Sequence, residues 1–492
     1  MTLLAAILRL WNLGHPSTLM FDETFYVKDA WTILHLGYEG SWPSDPDPAF
    51  NAGDVNSYLP AASYPAHPPL GKWIIALGMA LLGGDNPVGW RLSVAVAGIL
   101  AVLVLTLVAT SIFRSTTLGV LAGGLFAIDG HAIVLSRVAL LDNFVMLFGL
   151  LGFGAMLLDR RWISRRFTAW RDERQESGEP LGWGPALLWR PWLLAAGIAF
   201  GLTCGVKWSG IYFLVGFAVY AVVVDGLERR RLGVGAWFPV AVLRSAPITF
   251  LWTVIPAVVA YLSVFTGWFV TSGGYDRNWI ASGGERWTGL LSWVPDAVQN
   301  LWHWHASIYA FHTGLSVPHA YATPAILWPL LARPTQIYYQ GSGAGENGCT
   351  TDYCAEIVWS VANPLLWWAA CAAALYLLYR FVRYRAPRDG LILMGIAVGY
   401  LPWLLYPMRT MFQFYAIAFE PYLILALVAV LALFVGRLGD PPFPERLPLI
   451  RTVALVFLGL VVLVSAFFYP EWTGIQTPFW FWQAHVWLPS WV

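Results

Sequence analysis

Apolar stretches near the ~20 residues needed to cross ~30 Å of hydrocarbon recur along the whole chain, and a chain built this way can fold only around a membrane. They lie at roughly 87–113, 117–140, 143–158, 191–207, 209–225, 246–270, 357–380, 389–407, 413–436 and 451–469. A short eleventh, Thr2–Gly14, begins at the initiator Met, and a start codon placed too late is the expected explanation. It has neither the basic flank nor the small-residue cleavage site of a signal peptide. Only 12% of the 492 residues are charged, against about 25% in a soluble domain. The fold class expected is an all-α polytopic membrane protein. Lys+Arg 29 against Asp+Glu 28 leaves a net charge of +1, which offers no basic field for nucleic acid. Partners are therefore expected in or across the membrane.

Charge asymmetry sets the expected topology. Arg160, Arg161, Arg165, Arg166, Arg171 and Arg174 fall in the segment 159–190, and further basic clusters stand at Arg229–Arg231 and at Arg383 and Arg385. By the positive-inside rule these connections are cytoplasmic. The run Pro69–Leu82 is about 14 residues long, which suits a helix lying at the interface better than a span. Two large external loops follow, 15–86 and 271–356, with a cytoplasmic N-terminus and an external tail after Tyr469. Neither loop has a clear strand pattern, so residues 1–492 are expected to form one membrane domain.

The chain has only three lysines, Lys28, Lys72 and Lys207, and all fall at the external face in this topology. Arg9, Arg91, Arg137 and Arg409 lie near outer ends of spans, with Asp142 and the pair Asp22-Glu23. Ionisable groups at membrane depth are costly and usually mark a site, although single residues of this kind also snorkel to headgroups. As a set they fit a lipid phosphate held by cations beside a carboxylate base. Asp22–Gly37 reads as an amphipathic surface helix with the acidic pair in its first turn, where the helix dipole alone would favour it. His67-Pro68-Pro69-Leu70-Gly71-Lys72 is a rigid entry into a helix, since two prolines can start one but not continue it.

His303-Trp304-His305, His312 and His319 do not read as a metal site, because i and i+2 on a helix face different sides and no cysteine or carboxylate completes the set. Cys204 and Cys371 lie in apolar runs. Cys349 and Cys354 lie in a polar loop and are the one pair expected to form a small disulfide, two free thiols being the alternative.

The order of short motifs resembles that of the protein O-mannosyltransferases, the polyprenyl-phosphate-mannose-dependent enzymes of glycosyltransferase family 39. The matching pieces are Phe21-Asp22-Glu23, His67–Lys72, Gly89-Trp90-Arg91-Leu92, Ser136-Arg137 with Leu140-Leu141-Asp142, Gly205–Gly210, and His319–Pro334 with its Trp328-Pro329 and Arg333-Pro334. The resemblance spans nearly the whole chain and is to the bacterial, actinobacterial type, without the β-trefoil (MIR) insert of eukaryotic members. Pro324-Ala325-Ile326-Leu327 departs from a loop that often carries a second Trp after the proline.

The resemblance implies a GT-C fold of about eleven spans, with interfacial helices in the first external loop. It implies inverting transfer of mannose from polyprenyl-phosphate-mannose to Ser/Thr hydroxyls of secreted proteins, at the external face of a bacterial plasma membrane and near the Sec translocon. Asp22 is then the expected base and Glu23 the acceptor-positioning residue. Arg91 and Arg9 are expected at the donor phosphate, with Lys72, Arg137, Lys207 and Arg409 as further candidates and Asp142 as a partner of Arg137. His67, His312, His319 and Trp328 are expected in loop structure or acceptor contact. No cofactor beyond the lipid-linked donor is implied, and the need for a divalent cation stays open. The alternatives are a GT-C transferase using another polyprenyl-phosphate sugar or a glycolipid acceptor, and a transporter. The last would place polar residues at mid-bilayer in broken spans, whereas here the charges gather at one face.

Overall fold

The computed structural model describes residues 1–492. The apolar runs become helices: α1 (Thr2–Leu10), α2 (Glu23–Leu36), α3 (Leu70–Leu82), α4 (Pro87–Phe113), α5 (Thr116–Ile128), α6 (Gly130–Leu135), α7 (Asp142–Ser177), α8 (Pro191–Val206), α9 (Gly210–Arg231) and α10 (Ala246–Ser263). After α11 (Asp296–Gly314) and a hairpin of β1 (Thr335–Gly343) and β2 (Tyr353–Ser360) come α12 (Pro364–Tyr384), α13 (Pro387–Tyr400), α14 (Glu420–Phe434), α15 (Leu447–Thr473) and β3 (Thr477–Pro478). Seven segments are long and apolar enough to cross a membrane: α4, α7, α9, Trp237–Ser263 with α10 as its second part, α12, Pro387–Leu405 and Pro444–Thr473. α3, α5, α8 and α14 are apolar but shorter.

Local chemistry explains the boundaries. Asn86 and Asn363 cap α4 and α12 by accepting backbone N–H groups, each followed by a proline at the first helical position. The expected run 117–140 breaks at Asp129, whose carboxylate accepts the His131 N–H at 2.9 Å and starts α6 instead. The expected run 357–380 begins seven residues late, at Pro364, because its first residues belong to β2.

The three-stranded antiparallel sheet, in the order β1-β2-β3, is the element that the sequence reading of loop 271–356 lacked. A disulfide joins Cys349 to Cys354 in its turn.

Two contacts fix the frame around the site. α1 is tied down by Arg9, which donates to Ser136 Oγ and to the carbonyls of Phe126 and Ala127, and by Arg137, which donates to the carbonyls of Arg9, Trp11 and Asn12. α8 lies against α10 with no side chain between the backbones at Gly197 and Gly201. A Cβ there would stand 2.5 Å from Thr253 O and 2.4 Å from Ala257 O, the close approach that small residues permit between membrane helices. At the basic end of the bundle Arg160 and Arg190 are locked with Asp159 and Asp225 from α7 and α9, at 2.5–2.6 Å.

Candidate active site

The acidic pair is split by the backbone. Phe21 holds a left-handed φ of +50°, and its ring meets Phe412, Phe414 and His319 edge-on at 5.5–5.8 Å. This turns Asp22 and Glu23 to different environments. Glu23 is fully buried and accepts Arg91 Nε at 2.9 Å, Arg91 Nη2 at 2.8 Å, Met20 N–H at 3.0 Å and Ala139 N–H at 2.8 Å. Asp22 stays half-buried at the start of α2, and its side chain caps no N–H group. Burial pushes its carboxyl up to about 6, opposed by the Lys207 ammonium and reinforced by the Asp142 carboxylate.

Asp142 and Lys207 belong to the wall of a cavity of about 600 Å³. Lys207 ends α8 in an extended conformation, donates from Nζ to Asp142 Oδ2 at 2.7 Å and lies 5.2 Å from the Tyr415 ring centre. His67, His312 and Arg409 line the same cavity, and most of the remaining lining is apolar or aromatic, Leu214, Ala257, Val258 and Val398 among it. The polar lining is held as a unit. His312 Nε2–H donates to the Ala66 carbonyl at 2.7 Å, which leaves Nδ1 to accept from Arg409 Nη2 at 3.4 Å. His67 stacks on His312 with ring centres 4.9 Å apart, just after Ala66, another left-handed residue at φ +52°. Burial, and after it the neighbouring cations, push both imidazoles down, His312 to about 4, so both are neutral at pH 7. With both imidazoles neutral, the charged groups of the cavity wall are Lys207, Arg409 and the Asp142 carboxylate paired with Lys207, which leaves an excess of positive charge at Arg409.

The remaining candidates are placed elsewhere. Arg91 spends all five N–H groups inside the protein, on Glu23 and on the carbonyls of Leu13, Pro16 and Thr18. Lys72 is fully buried against Asp29, Glu39 and the Pro65 carbonyl. With Arg9 and Arg137 holding α1, four of the six cations expected at a phosphate hold the scaffold instead. Asp142 pairs with Lys207, not with Arg137. Glu23, expected to position the acceptor, is enclosed with Arg91 and fully buried. Trp328, expected in loop structure or acceptor contact, is buried and donates to the Thr323 carbonyl. His319 is exposed against Phe21, beside Asp22. His303 meets Asp276 and Trp279, while His305 accepts the Tyr261 hydroxyl at 2.6 Å and lies flat on Trp208.

Trp208 and Tyr415 stood in the sequence reading only as members of the segments around Lys207 and Arg409, without roles of their own, and Tyr261 was missed because only the packing of α10 brings it in.

Comparison with known proteins agrees with this architecture. Residues 61–266 match the family model described as dolichyl-phosphate-mannose-protein mannosyltransferase. The polyprenol-phosphate-mannose–protein mannosyltransferase of Mycolicibacterium smegmatis is 34% identical over 504 residues, covering 100% of this chain and 91% of the relative. That of Corynebacterium glutamicum is 28% identical, covering 96% and 88%. The solved structure of the Saccharomyces cerevisiae protein O-mannosyltransferase Pmt1-Pmt2 complex bound to the sugar donor superposes with a TM-score of 0.70 at 15% identity, over 100% of this chain and 91% of that one. At that identity what is shared is the fold. The chain is a multi-pass membrane glycosyltransferase of the GT-C fold and belongs to the polyprenol-phosphate-mannose–protein mannosyltransferase family.

Proposed function

We propose that the protein transfers mannose from polyprenyl-phosphate-mannose to Ser/Thr hydroxyls of secreted proteins, with Asp22 as the base. The observation that carries this reading is the position of Asp22, an uncapped carboxylate beside the polar end of a cavity that is cationic there and apolar beyond. Such a cavity suits an amphiphilic donor, with its phosphate at Lys207 and Arg409 and its isoprenoid chain along Leu214, Val258 and Val398.

Asp22 accepts the proton of the acceptor hydroxyl as that oxygen attacks the anomeric carbon. The bond from the anomeric carbon to the phosphate oxygen breaks on the opposite side, which inverts the centre. Polyprenyl phosphate departs with its electron pair, and its charge is met by Lys207 and Arg409. Asp142 fixes Lys207, and the neutral His67–His312 stack fixes the edge of Arg409. Arg9, Arg91, Arg137 and Lys72 act at a distance by holding the loop 15–86 in which Asp22 sits. The loop 271–356 supplies the other wall.

The positive-inside rule supports an orientation with this end of the bundle at the external face of the plasma membrane, the N-terminus cytoplasmic and acceptor segments arriving from the Sec translocon.

The test is transfer of labelled mannose from polyprenyl-phosphate-mannose to a Thr-rich peptide by membranes holding the wild type or Asp22→Asn. Transfer that disappears in the variant supports donor, acceptor class and base together. A folded wild type that transfers nothing overturns the reading in favour of another lipid-linked sugar or a lipid acceptor.

A further inference from the structure

α11 has two sides, and the protein accounts for one. Leu301, Trp304 and Ile308 are buried against Val264, Phe265 and Trp268, just beyond α10, and His305 on the adjoining edge accepts the Tyr261 hydroxyl. On the other side Val298, Trp302, Ala306, Tyr309, Ala310 and Thr313 recur at positions i, i+4, i+8, i+11, i+12 and i+15, and all are exposed. That spacing is one continuous helix face, and no charged residue interrupts it. The turn leading into the helix adds Leu290, 93% exposed, and Trp293, 77% exposed. Apolar surface gathered in this way is an interaction site, because single exposed hydrophobes are common but contiguous ones are not.

The neighbouring surfaces identify what covers it. Tyr309 and Thr313 line the cavity with Ile211 and Val258, and the last two are exposed on α9 and α10, which belong to segments apolar enough to span a bilayer. The outer face of α11 thus continues the apolar surface of two spans without a polar break. Charge enters only at the start of α11, where Arg286 pairs with Asp296, both side chains well exposed. An apolar face rich in Trp and Tyr, charged at one end and level with the polar end of the cavity, has the composition of an interfacial helix.

We propose that α11 and the turn at 287–293 are seated in the phospholipid leaflet nearest the cavity, with Trp302, Tyr309, Leu290 and Trp293 among the upper acyl chains. The mouth bounded by Tyr309, Ile211 and Val258 then opens into lipid and not into water. An amphiphile enters sideways, its polar head never leaving the level of Lys207 and Arg409. A second protein copy could cover the same face, and the experiment separates the two.

The full-length protein, with Cys204 and Cys371 replaced by Ala and the Cys349–Cys354 disulfide kept, is reconstituted in phosphatidylcholine–phosphatidylglycerol vesicles. It carries one environment-sensitive fluorophore at Leu290→Cys, Trp302→Cys or, as a water-facing control in the hairpin turn, Ala344→Cys. The expected result is blue-shifted emission at positions 290 and 302, quenched by nitroxide-labelled lipid and protected from aqueous iodide, with the reverse at 344. Iodide quenching at 290 and 302 equal to that at 344 overturns the proposal. So does protection from both quenchers, which means that protein and not lipid covers the face. Position 290 lies in an exposed turn, so its result stands even if Trp302→Cys folds poorly. None of these readouts depends on mannose transfer.

Discussion

Glu23 and Arg91 meet fork to fork, Nε to Oε1 at 2.9 Å and Nη2 to Oε2 at 2.8 Å, with both side chains wholly out of solvent. The pair joins α2 to α4 and orients the first turn of α2, from which Asp22 projects. Its importance is therefore positional, even though Arg91 stands in a motif that points to phosphate.

Removing one member of such a pair leaves a buried charge without a partner, which costs about 3–5 kcal/mol. Arg91→Ala and Glu23→Gln are expected to lower the melting temperature of the detergent-solubilised protein sharply, whereas Asp22→Asn is expected to leave it unchanged or raise it. A variant of Arg91 that melts like the wild type but has lost donor affinity would return Arg91 to the phosphate.

The proposed role of Asp22 as base needs it ionised, and its carboxyl is pushed up to about 6. The expected kcat/KM therefore climbs as pH rises through about 6 and levels off above it. Asp22→Asn should lose this limb together with a factor on the order of 10²–10⁴ in rate. A limb that persists in a residually active Asp22→Asn belongs to another group.

The neighbours of Asp22 give that limb a sign. The Lys207 cation holds the Asp22 carboxyl down and the Asp142 anion holds it up. Lys207→Met is expected to move the acid limb to higher pH, and Asp142→Asn to lower pH. Lys207→Met should also raise donor KM by about 10- to 100-fold, the loss of one charge-assisted hydrogen bond. Shifts in the same direction for both variants would mean that neither charge is felt at Asp22.

Gly201→Ala places a methyl 2.4 Å from the Ala257 carbonyl, so α8 and α10 must separate. The expected cost is about 1–3 kcal/mol, read as a lower melting temperature. Because Ala257 lines the cavity, donor KM should rise as well. Gly459→Ala on α15, where a Cβ meets nothing within 4 Å, is the control and should change neither.

The sequence revealed the helices well because spanning runs are long and nearly uncharged, but it placed the apolar face of α2 on Phe25, Trp31 and Leu34, whereas Phe25 and Leu34 are exposed and the buried side carries Tyr26, Val27, Ala30 and Ile33. The hairpin was hidden because β2 is buried at nearly every position and so lacks the alternation of a half-exposed strand, and because glycines crowd its turn at Gly343, Gly345 and Gly348. Gly197, Gly201 and Gly205 recur at every fourth position, a spacing that lays three glycines along one face of α8 and so marks the side that meets α10. Charge partners were the least legible. Asp22 and Glu23 are adjacent, yet at the start of α2 they point about 100° apart, and only the packing around them leaves one enclosed and the other beside the cavity. Lys207 and Asp142 are 65 positions apart, a separation that no local pattern encodes.

The left-handed backbone at Phe21 costs an L-residue roughly 1–2 kcal/mol, and the ring recovers this by packing on Phe412 and Phe414. The aim of the base is thus underwritten by aromatic side chains from the far end of the polypeptide. A change at position 21 is therefore expected to call for a compensating one at 412 or 414. A hybrid that takes its first loop from one species and its last spans from another is expected to fold yet misdirect Asp22.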